Sequence, residues 1–84
     1  QLFQNRPNPF NAMTVIEYET MERGSTTLSV VDMLGRRVAL LVDAPVDAGI
    51  SRVSFDASAL PSGVYHYILQ TPSISIGRMM LVVK

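Results

Sequence analysis

An all-β sandwich of six to seven short antiparallel strands is the fold class that this sequence predicts. Three observations carry that reading. Apolar residues fall in short alternating segments rich in β-branched and aromatic side chains. Turn signals recur about every 8 to 12 residues. No stretch of helical length carries a 3.6-residue apolar period.

Eighty-four residues make one small domain, spanning residues 1–84. A chain of this size buries only about 60–65% of its unfolded surface, so its core must be simple and continuous. The apolar share of 48% is that of a globular domain rather than a disordered tail. Seven basic residues balance seven acidic ones. That balance removes the electrostatic case for nucleic acid or an anionic membrane as partner. There is no cysteine, which excludes a disulfide scaffold and thiolate chemistry. The longest apolar runs, Val38 to Val42 and Met79 to Val83, fall far short of the roughly 20 residues a transmembrane helix needs. With no initiating Met and no secretory leader, the sequence reads as a piece of a longer protein.

The elements follow in order. Residues 1–13 form a proline-containing edge segment and a lead-in turn. Pro7 and Pro9 each fix φ near −65° and remove a donor, and each pushes the residue before it toward extended backbone. Residues 5–10 are therefore expected as a stiff extended rod that pairs from one side only. Phe10 supplies its apolar anchor and Asn11 a turn into the first strand. Physics alone makes this stretch an edge with a boundary role; a rigid exposed recognition element is the alternative.

"TVIEYET" (Thr14 to Thr20) puts Ile16 and Tyr18 on one face, Glu17 and Glu19 on the other. "TTLSVV" and "RRVALLV" make a hairpin over residues 26–42, turning at Asp32 to Gly35. Asp32 is placed to accept backbone N–H bonds and Gly35 to relieve crowding. Leu28, Val30, Val38, Leu40 and Val42 are its expected inner face. "DAPVDAG" reads as a loop and "SRVSF" as a short strand, with Val53 and Phe55 inward. "DASALPSG" is a loop whose Leu60 plugs one end of the core, with Gly63 at its last turn. "VYHYILQ" alternates Tyr65, Tyr67 and Leu69 against Val64, His66 and Ile68. Residues 74–83 complete a final hairpin, in which Gly77 predicts a bulge or bend. Six or seven such strands match the size of an immunoglobulin-like sandwich.

Catalytic constellations are missing from this inventory. His66 is the sole histidine, and with no cysteine it builds no zinc site. Glu17 and Glu19 stand about 7 Å apart by strand geometry but lack the cleft that a glycosidase pair needs. Asp43 and Asp47 lack the dense ligand spacing of a calcium loop. No nucleophile elbow or phosphate loop is legible. Tyr65 and Tyr67 fit core packing better than a sugar-stacking platform. The chain reads as a non-enzyme with no cofactor.

Four motifs nonetheless carry a resemblance. "LFQNRPNPFN" (Leu2 to Asn11) resembles the LxQNYPNPFNP opening of type IX secretion system type A C-terminal sorting domains. "VVDMLGRRVALLVD" (Val30 to Asp43) is similar to that family's VYDxxGRxVxxLVD hairpin. "AGISRVSFDASALPSGVYHYIL" (Ala48 to Leu69) and "GRMMLVVK" (Gly77 to Lys84) match its remaining motifs in order and spacing. The chain departs from the pattern at Arg6, where the family has tyrosine, and at Ala12 and Met13, where it has Pro-Thr. Met79 stands where a basic residue is common.

The resemblance implies an immunoglobulin-like address domain at the C-terminus of a protein exported by Bacteroidetes-type bacteria. An N-terminal cargo domain of the same precursor crosses the periplasm in transit. It then reaches the cell surface or medium through an outer-membrane translocon, and a sortase-like peptidase cuts near or upstream of Gln1. Lys84 is then the precursor's last residue. The expected recognition surfaces are the opening segment (Asn5, Pro7, Asn8, Pro9, Phe10, Asn11) and the final strand (Arg78, Met80, Val82, Lys84). Asp32, Gly35 and Gly63 are assigned to turns. The competing readings are a carbohydrate-binding accessory module, with Tyr65 and Tyr67 stacking, and a structural spacer resembling a flagellar hook-capping domain.

Overall fold

Alternation places one face of each strand against the core, and two sheets result. In the computed structural model, which describes residues 1–84, the strands are β1 (Met13–Thr20), β2 (Gly24–Val31), β3 (Arg37–Val46), β4 (Gly49–Asp56), β5 (Gly63–Gln70) and β6 (Ser75–Val82). All pairings between them are antiparallel. β1 and β4 form one sheet; the other has the order β3-β2-β5-β6. The core between them holds Ile16, Tyr18, Leu28, Val30, Phe55, Tyr65, Tyr67, Leu69, Met80 and Val82, the inward half of each alternating pattern. Leu60 packs on the edge of this cluster, as its lone apolar character in a polar loop predicts.

β3 departs from expectation in two ways. The strand extends through Val46, so Asp43 to Val46 is strand and not loop. Pro45 is tolerated because β3 is an edge strand, with β2 its only neighbour. The pairing with β2 also slips twice: Leu28 opposes Val42 but Ser29 opposes Leu40, and Val30 opposes Ala39 but Val31 opposes Arg37. Each slip adds one residue to β3 and reverses which side chains face inward. Ala39, Leu41 and Val42 therefore pack on the core, while Val38 and Leu40 turn outward and are 36% and 43% exposed. Gly77 makes no bulge, since β6 pairs with β5 in unbroken register across it.

The β2–β3 turn forms as its residues dictate. The Asp32 carboxylate accepts the N–H groups of Leu34 and Arg36, both at 2.9 Å, and the Arg36 guanidinium at 2.9 Å. Gly35 takes φ +81°, a left-handed conformation costly for any residue with a Cβ. The Arg36 N–H first, then its guanidinium and the Leu34 N–H, hold the Asp32 carboxyl below its ordinary pKa. Gly63 also takes positive φ, +154°, as it leaves the 57–62 loop for β5.

Candidate interaction surface

The opening segment is not a straight rod. It follows β1 first: the Phe3 N–H donates to Glu17 at 3.0 Å, and Arg6 exchanges two main-chain bonds with Val15 at 3.0 and 2.9 Å. It then bends at residues 7–9, where both the Arg6–Pro7 and Asn8–Pro9 peptide bonds are cis. Past the bend it reaches the other sheet. Phe10 donates its N–H to Leu81 at 3.0 Å and accepts the Val83 N–H at 2.9 Å, a parallel bridge beside Val82. The segment is an edge strand twice over, on the β1 edge and on the β6 edge. Arg6 and Phe10, expected to direct their donors to a single sheet edge, serve different sheets.

Side chains explain the bend. The Asn5 amide donates to the Pro7 carbonyl at 3.2 Å and to the Thr14 hydroxyl at 3.0 Å, and that hydroxyl donates to the same carbonyl at 2.9 Å. Both side chains are buried, so an unmade bond there would be costly. Beyond the bend, Phe10 is buried edge-on to Phe55, with ring centroids 6.4 Å apart. The two ends of residues 5–10 are thus pinned to opposite sheets, and an extended rod does not satisfy both.

The predicted surface residues divide by burial. Asn5, Phe10, Met80 and Val82 lie in the interior. Pro7, Asn8, Pro9, Asn11, Arg78 and Lys84 are exposed. The fold brings the two predicted surfaces together along the outer edge of β6. There the Asn8 carboxamide oxygen accepts the Leu81 N–H at 2.9 Å, and the Gln4 amide donates to the Met79 carbonyl at 2.8 Å. Lys84 folds back onto the 57–62 loop. Its ammonium donates to the carbonyls of Ala57 and Ser58 at 2.9 and 3.0 Å, and its N–H to the Ser62 hydroxyl at 2.9 Å.

Several contributors escaped the sequence reading. Leu2 is completely buried, and its signal was modest: one aliphatic residue beside Phe3 at the start of the chain. The Tyr67 hydroxyl bonds the main chain of Phe3 and Asn5, which no local pattern announces. Glu17 lies between Arg6 and Arg52, at 3.8 and 3.0 Å, so it is a paired carboxylate and not a free one. Asp47 is paired with Arg23. Tyr65 and Tyr67 are 6% and 0% exposed, and the Tyr65 hydroxyl is spent on the Pro61 carbonyl at 2.8 Å. Neither ring is open to stack on a sugar.

The two-sheet sandwich thus draws its first and last segments together at one edge, the outer side of β6. The chain belongs to the secretion system C-terminal sorting domain family, whose model matches residues 6–83. Domains of this family are C-terminal sorting signals for type IX secretion, and this is the function of the chain. It marks a precursor for export to the cell surface or medium. No curated protein matches the chain.

Proposed function

We propose that the chain is a single sorting domain over residues 1–84 with no catalysis of its own. Its signal is the composite edge formed by Pro7 to Asn11 and Arg78 to Lys84. The observation that carries this reading is the contact of Asn8 and Phe10 with Leu81 and Val83, which makes one edge of two separate segments. Within it, Pro7, Asn8, Pro9, Asn11 and Arg78 offer exposed side chains, while Asn5, Phe10, Met80 and Val82 hold the edge from beneath. The partners on this reading are the outer-membrane translocon, a sortase-like peptidase acting upstream of the domain, and the cargo of the same precursor. The route runs through the periplasm.

The test is a fusion of signal peptide, reporter and this chain in a bacterium with a type IX system. Export of the reporter is expected. Deleting Arg78 to Lys84 traps it in the periplasm. Periplasmic retention of the intact fusion refutes the reading. Substituting Asn8 and Asn11 by Ala separates the composite edge from β6 alone: unchanged export assigns the signal to β6.

A further inference from the structure

Tyr67 and Arg78 oppose one another across the β5–β6 ladder. The Tyr67 ring is wholly buried. Its hydroxyl donates to the Phe3 carbonyl at 2.7 Å and accepts the Asn5 N–H at 2.8 Å. Arg78 donates from Nε to the Leu2 carbonyl at 2.5 Å. One cross-strand pair therefore grips three main-chain groups between Leu2 and Asn5, just before the bend. Every partner is a backbone atom, so the grip ignores the side chains of the segment it holds. Burial pushes the Tyr67 pKa up, against the Asn5 N–H and the Arg78 charge, so the hydroxyl is a neutral donor at any physiological pH.

We propose that Tyr67, with Arg78 beside it, is the positioning residue of the sorting signal: it clamps residues 2–5 so that Pro7 to Asn11 meets β6 in one geometry. This rests on the sorting reading above. Tyr67 has no exposed surface with which to touch a receptor, so its influence on export passes through the segment it holds. Arg78 was expected in the recognition surface; here its guanidinium also serves the clamp from the solvent side. The clamp joins the opening motif to the "GVYHY" strand, two stretches that are far apart in sequence.

The test compares wild type, Tyr67→Phe and Val42→Ala, each as the reporter fusion for export and as the chain for hydrogen exchange and unfolding. Phe keeps the ring and removes both hydroxyl bonds. Val42→Ala trims the core at β3, the opposite edge of the same sheet. Tyr67→Phe is expected to speed exchange of the Asn5 N–H about tenfold, leave central β2 amides protected and cut export severalfold. Val42→Ala is expected to lower the unfolding midpoint yet leave export and Asn5 exchange near wild type. Unchanged Asn5 exchange in Tyr67→Phe overturns the clamp. Faster exchange with normal export overturns the positioning role, as does loss of export in both variants in proportion to lost stability. If Tyr67→Phe does not fold, Arg78→Met decides: it must loosen the Phe3 and Asn5 amides and lower export, and normal values for either overturn the proposal. Retention of the wild-type fusion refutes the sorting reading itself, and the positioning role with it, while the exchange measurements still report the clamp.

Discussion

Replacing Phe10 by Ala removes a ring that is 4% exposed and stands at 65° to Phe55. Both main-chain bonds of residue 10 remain available to alanine, so the substitution isolates the ring. Truncating a buried phenylalanine costs about 3–5 kcal/mol, of which the edge-to-face pair accounts for about 0.5–1.5 kcal/mol. A domain of 84 residues has a stability of about 4–13 kcal/mol, so the loss is a large fraction of the whole. The midpoint of thermal unfolding is expected to fall by at least about 12 °C, and that in urea by about 1–5 M. Circular dichroism against temperature and urea measures both. In a Phe55→Ala background the same substitution should cost less, because the pair is already broken. A loss below about 1 kcal/mol, with the fold intact, refutes the argument that Phe10 anchors the opening segment to the core.

Other expectations follow from single contacts. Gly35→Ala forces a Cβ into φ +81° and should lower stability by about 1 kcal/mol, read from the urea midpoint at constant slope. Asp32 and Asp56 both titrate below the ordinary carboxylate value, Asp32 through the Arg36 and Leu34 groups and Asp56 through the Ser58 hydroxyl and N–H. As pH falls the unfolded chain binds these protons first. Their contribution is thus present above about pH 5 and fades through pH 4 and below. Urea midpoints at pH 7 and pH 3 test this, and Asp32→Asn should flatten the difference. Lys84→Met removes two bonds to the 57–62 loop and is expected to speed proteolytic nicking between Ser58 and Ser62, with the thermal midpoint shifted by only a few degrees.

Period-two alternation made β1, β2, β5 and most of β4 legible, because a residue's parity decides its face wherever register is unbroken. It failed at Val38 and Leu40. One extra residue, Leu41, reverses parity at Leu40, and Val38 is itself a second extra residue; a bulge leaves no mark in side-chain chemistry alone. The "DMLG" turn was readable because Asp32 and Gly35 act on their own neighbours. The opening segment was readable only as an edge. Its bend depends on Asn5 meeting Thr14, and its hold depends on Tyr67. The candidate surface was thus named in its two halves, while their adjacency, and the division into exposed and buried members, came from tertiary contacts.

The bonds that join the opening segment to β5 and β6 have a kinetic consequence. Asn5 is separated from Tyr67 by 62 residues in sequence, and Leu2 from Arg78 by 76. The first residues of the domain have no partners until β5 and β6 are in place. Closing so long a loop is entropically slow, and little is gained before the final strand arrives. A nascent or truncated chain lacking β6 has no finished edge to show. A precursor that displays this edge is therefore one whose chain includes β6 in full, folded against the opening segment.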